Sequence, residues 1–89
     1  MTLPEVLAAV LTEYNLSVEK HGDWQDYTLD QIMGVIQTEF MMEAAAAYNR
    51  GDLHGDHGVI RELSQVAACC IKTIVAVSGR PDASPGEYI

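Results

Sequence analysis

The chain has 89 residues, 48% of them hydrophobic, and carries a net charge of −8 from 13 acidic and 5 basic side chains. A lone subunit of this length hides only about 60–65% of its unfolded surface, so one small domain with a marginal core is expected. The acidic balance argues against a nucleic-acid backbone or an anionic membrane as partner and permits a cation or a basic protein. No apolar run reaches the roughly 20 residues of a membrane span. The most apolar stretch, residues 66–77, is interrupted by Lys72, and residues 1–10 carry Pro4 and Glu5 without the basic start of a signal peptide. Cys69 and Cys70 are neighbours. On a helix they point about 100° apart and do not pair, which suits a reduced, cytoplasmic protein. The hydrophobic excess over what one small core holds predicts a second buried surface, and hence a homo-oligomer.

Three helices and a tail are predicted. Thr2 with Glu5 three residues on is a capping-box signal, and Pro4 fits a first helical turn. Helix 1 then runs to about residue 19, with Val6, Leu7, Val10, Leu11, Tyr14 and Val18 as its apolar stripe. The text KHGDWQDY (residues 20–27) breaks the pattern and reads as a loop. Thr28 and Gln31 form a second capping box, opening a helix that ends near Arg50-Gly51. The small residues at 44–47 permit close packing at its far end. GDLHGDHG (residues 51–58) is a loop by composition. Its His54 and His57, with Asp52 and Asp56, match no common zinc spacing, and a polar Gly-rich loop is the simpler reading.

Helix 3 is expected from residue 57 or 59 to residue 78, stopped by Gly79 and Pro81. Val59, Leu63, Val66, Cys70, Ile74 and Val77 form its main stripe, widened by Ile60, Ala67 and Ile71. A helix this apolar is buried on more than one side and belongs at the centre of the assembly. Met33, Met41 and Met42 lie on different sides of helix 2 and read as core or subunit-interface filler. The helical domain is thus residues 1–79, and residues 80–89 form a mobile tail. The fold class is all-α: a three-helix protomer packing into a four-helix-type bundle across a homo-oligomer interface.

Chemistry is suggested by carboxylates in the wrong place. Ile32, Val35, Ile36 and Ala46 fall within about 60° of one direction on helix 2. Glu39 and Glu43 point the same way. An unpaired buried charge costs several kcal/mol (an approximate scale), so such groups are solvated, paired or bound to metal. Glu62 on helix 3, at the margin of the apolar stripe, adds a third carboxylate, and Gln65 lies about 60° further round on the polar flank. Three carboxylates from two packed helices suit Mg²⁺ or Mn²⁺. Such an ion binds nucleotide phosphates, polarises a phosphoryl oxygen and activates water.

Here the chain resembles the MazG-like all-α nucleoside triphosphate pyrophosphohydrolases, especially small phage and bacterial members. There, EKWG-type text after helix 1 is followed by a Glu-rich helix and by ELxQVAA. This chain has Glu19-Lys20-His21-Gly22-Asp23-Trp24 in the first place and Glu62-Leu63-Ser64-Gln65-Val66-Ala67-Ala68 in the last. The resemblance covers roughly residues 5 to 77. It implies Mg²⁺-dependent (or Mn²⁺-dependent) hydrolysis of a nucleoside triphosphate to the monophosphate and pyrophosphate, as nucleotide-pool housekeeping, in a homodimer or homotetramer. Glu39, Glu43 and Glu62 would be the catalytic metal ligands. Lys20 would meet a phosphate, Trp24 would stack on a base or plug the end of the bundle, and Gln65 would face substrate. Two departures stand out. The family spaces its first two glutamates three apart, whereas Glu39 and Glu43 are four apart. The family's final aspartate is Gln65, whose amide brings no charge and cannot act as a base.

Two rival readings come from the same residues. A catalytically inactive relative keeps the fold. A non-enzymatic acidic interaction or inhibitor protein of the phage accessory type uses the charge itself to bind a basic partner, without metal and more weakly as salt rises. A di-iron four-helix protein expects Glu-x-x-His pairs on its helices, and none occurs.

Overall fold

The computed structural model describes residues 1–82. It is all-α, with three packed helices. The first, α1, spans Leu3–His21. The second runs without interruption from Leu29 to Asn49, as an α-helix α2 (Leu29–Thr38), a π-helical turn (Glu39–Ala44) and a short α-helix α3 (Ala45–Asn49). The last, α4, spans Val59–Val77. Both expected capping boxes are present. The Thr2 amide donates to Glu5 Oε1 and the Glu5 amide to Thr2 Oγ1. Thr28 and Gln31 repeat the exchange at the start of α2. Each box satisfies two amides that a helix start otherwise leaves orphaned.

The loop before α4 caps it with backbone instead of a side chain. The Val59 and Ile60 amides donate to the carbonyls of Asp52 and Leu53. This folded-back path needs a glycine at 58. A Cβ there would sit 2.8 Å from the Gly55 nitrogen and 2.9 Å from the Leu53 carbonyl oxygen.

α4 is the central element, with α1 and the second helix on its two flanks. Its core-facing side is not the side that the hydrophobic pattern selects. Glu62, Cys69, Lys72, Thr73 and Ala76 are buried. Of the expected stripe, Leu63, Cys70 and Ile74 are exposed, and Val59, Val66 and Val77 are half-buried. α1 behaves similarly: Val10 is buried, Tyr14 and Val18 are half-buried, and Val6, Leu7 and Leu11 are exposed. Met33, Met41 and Met42 are all exposed, so none fills the core of the protomer. The physical reason lies in the close approach of the helices. Small residues such as Ala44, Ala47, Ala68 and Ala76 occupy the contacts, and the larger apolar side chains are left outside.

Trp24 belongs to the core, in contact with Ile32, Cys69 and Ala76. It takes a left-handed backbone conformation, φ 64°, which costs about 1–3 kcal/mol for such a residue unless its surroundings hold it. They do. Lys72 Nζ lies 4.2 Å from the ring centroid and donates to Ser17 Oγ at 2.9 Å. Arg80 Nη2 donates to the carbonyls of Trp24 and Gln25. Arg80 is therefore tied back to the loop, whereas the sequence pattern places it at the start of a mobile tail. The remainder of that tail, residues 83–89, lies outside the described residues. No helix of the described chain is long and apolar enough to cross a membrane.

Candidate metal centre

Glu39 opens the π-helical turn and Glu43 lies within it, so the turn sets where they point. In an unbroken α-helix, Ala44 would lie about 120° round from Ile32. A turn whose hydrogen bonds close on i+5 takes in one extra residue and gives back about 100° of rotation. Ala44 thereby comes to rest in the core beside α4, with Ile32. The same rotation moves Glu43 toward the flank, where it is exposed, and leaves Glu39 half-buried. Glu62 arrives from the first turn of α4 and is only 2% exposed, far deeper than the margin position its helical spacing suggested.

The three side chains converge. Each offers one carboxylate oxygen, and these oxygens lie within 4.8 Å of one another. Oxygens on opposite sides of one octahedral Mg²⁺ are about 4.2 Å apart, so small side-chain adjustments suffice to hold such an ion. Two carboxylate oxygens of these residues, Glu39 Oε2 and Glu62 Oε2, are buried without a hydrogen-bond partner among the described residues. A buried, unpaired carboxylate oxygen is expensive and demands a proton or a cation. The titration of the cluster says the same. Burial, contact with the Glu43 carboxyl, and the charges of Glu43 and Glu62 push Glu39 up to about 7. Burial and Glu43 also raise Glu62, and His57 partly offsets this. The donor set is all-oxygen and anionic, which fits a hard divalent cation.

Beside the cluster lies a cavity of about 510 Å³ between α1 and α4, within the range of small-molecule sites. Glu39 reaches it, together with Lys20, His21, Arg61 and Gln65. Glu43 and Glu62 are not part of its wall. Of the residues singled out in the sequence, Glu39, Glu43 and Glu62 come together, and Lys20 and Gln65 line the adjoining cavity. Trp24 is not in the lining. Its ring is buried and faced by Lys72, the position of a plug and not of a stacking platform for a base. Cys69 also borders the cavity, but burial and the nearby Glu39 push its thiol up to about 11, which disfavours a nucleophilic thiolate.

Two neighbours of the cluster are missed by the sequence pattern: Arg61 has no signal in it, and His57 is weighed only as a zinc ligand and assigned to a polar loop. Arg61 projects into the cavity wall, with its Nε 3.3 Å from Glu13 Oε1. His57 places Nδ1 3.3 Å from Glu62 Oε1. His54 and the loop aspartates join no metal-holding group among the described residues. No known protein family, no curated protein and no solved structure matches the chain.

Proposed function

We propose that the chain is a Mg²⁺- or Mn²⁺-dependent nucleoside triphosphate pyrophosphohydrolase of the MazG-like type, acting as a homo-oligomer. The observation that carries this reading is the pair of unpartnered buried oxygens in a three-glutamate cluster at the edge of a cavity whose wall carries Lys20 and Arg61 beside Glu13 and Glu19. An acidic interaction surface would keep its carboxylates in water. This chain instead buries one oxygen each of Glu39 and Glu62, a cost that a cation completing the site would offset.

Glu39, Glu43 and Glu62 would hold the ion. When bound, the ion neutralises phosphoryl charge and lowers the pKa of water. Lys20 and Arg61 offer cations to a polyphosphate in a wall that also carries Glu13 and Glu19, and Gln65 offers an amide for a hydrogen bond to substrate. Water adds to a phosphoryl phosphorus as the bond to the pyrophosphate oxygen breaks. The products are the monophosphate and pyrophosphate, and the proton passes to solvent. The π-helical turn also bears on the unusual glutamate spacing. With one residue absorbed, Glu39 and Glu43 stand in the angular relation of residues three apart, the spacing of the family that the sequence resembles.

The test is incubation with a panel of natural and damaged nucleoside triphosphates in Mg²⁺ or Mn²⁺, with pyrophosphate and monophosphate measured together. The reading expects equimolar products from at least one substrate, and loss of both with chelator or in Glu43→Gln. No release from any substrate with either ion, in wild type and in Gln65→Asp alike, would overturn the enzymatic reading.

A further inference from the structure

We infer that His57 is a positioning residue that holds Glu62 in its ion-binding orientation. The inference rests on the reading of the glutamate cluster as a divalent-cation site. Glu62 meets the Glu43 carboxyl and His57: His57 Nδ1 lies 3.3 Å from Oε1, and Oε2 is buried and unpartnered among the described residues. With Glu62 ionised, as a metal ligand must be, the imidazole donates from Nδ1. One oxygen is thereby occupied, and the other is the one presented to an ion.

The backbone at 57 is held from both sides. Arg50 Nη2 donates to the His57 carbonyl at 3.2 Å. The Gly58 amide donates to the Gly55 carbonyl, and the approach at Gly58 admits no Cβ. The imidazole itself is 82% exposed. An exposed side chain contributes little to the core, so its removal should leave the fold intact. Its contact with a nearly fully buried carboxylate is what gives it a function. Partners of this kind fix the orientation of metal ligands, and their loss typically lowers metal affinity about 10–100-fold.

The experiment titrates Mn²⁺ into metal-stripped protein and follows the free-ion signal by electron paramagnetic resonance. Wild type, His57→Ala and His57→Asn are compared, with far-UV circular dichroism to confirm folding. The asparagine amide nitrogen offers a donor close to where Nδ1 stands. We expect about 10-fold weaker binding or worse in His57→Ala, and recovery of most of the loss in His57→Asn. If wild type binds no Mn²⁺, the metal-site reading falls and takes this inference with it. If wild type and His57→Ala bind alike, or if His57→Asn is as weak as His57→Ala, the inference alone is overturned.

Discussion

At the scale of single residues, Glu39 is the most sensitive reporter. Its folded pKa stands at about 7, against about 4.3 in an unfolded chain. Between those values the folded state binds more protons than the unfolded one. Stability of the metal-free protein must then fall as pH rises, and Glu62, shifted in the same direction, adds to the slope. We predict that the metal-free melting temperature drops between pH 5 and pH 8, and that Glu39→Gln flattens the profile. At pH 8, Glu39→Gln should raise stability by about 1–2 kcal/mol after allowance for solvent screening, roughly 5–10 °C for a domain of this size. A flat wild-type profile, or a destabilised mutant at pH 8, would contradict the geometry. Glu39 and Glu43 were legible in the sequence because charges on an apolar helix face conflict with their neighbours. The depth of Glu62 was not. Helical spacing ranks directions, but it does not say which direction another helix will cover.

At the scale of elements, the π-helical turn between Glu39 and Ala44 is the decisive irregularity. It accommodates one residue more than an α-helix would, and the exposed Met41 lies within it. Deleting Met41 should therefore convert the turn to regular α-helix while keeping Ile32, Ala44 and Ala47 against α4. Deleting Met33, equally exposed but in the regular part of α2, should rotate the helix start by about 100° and misplace Ile32. The expected outcome is a melting temperature within a few degrees of wild type for the Met41 deletion, with helicity retained, and loss of cooperative unfolding for the Met33 deletion. Equal damage from both would remove the account of the turn. The two capping boxes, and the helix ends to within about two residues, were legible because each depends on residues close in sequence. The π turn depends on what Ala44 and Glu39 meet across the interface with α4, and a local pattern contains none of that.

At the scale of the whole molecule, the protomer leaves its most apolar helix face uncovered. Leu63, Cys70 and Ile74 share one direction on α4, and Ile74 is 64% exposed. Leu3, Leu7 and Leu11 are likewise exposed on α1. Contiguous apolar surface of this kind marks an association site, and the dominance of cyclic homo-oligomers makes a second copy the natural occupant. We predict at least a dimer mass by light scattering at micromolar concentration. Ile74→Glu should shift it toward monomer and lower the melting temperature as subunit contacts are lost. A monomeric wild type with unchanged behaviour in Ile74→Glu would contradict this. The hydrophobic stripe on α4 was legible as an apolar face. That it faces away from the other helices of the chain was not, because small residues won the close helix contacts.

The cation site is the central claim, and calorimetric titration of metal-stripped protein with Mn²⁺ at pH 7 tests it most directly. Repeating the titration in buffers of different ionisation enthalpy counts the protons released. A ligand must be deprotonated to bind, and burial with the neighbouring Glu43 carboxyl raises the Glu39 pKa to about 7, so the carboxyl carries a proton in part of the metal-free molecules at this pH. Saturable binding accompanied by proton release, with both the heat and the proton release lost in Glu62→Gln, is the result the account predicts. Heats no larger than dilution in the wild type, or binding that persists unchanged in Glu62→Gln, would contradict it.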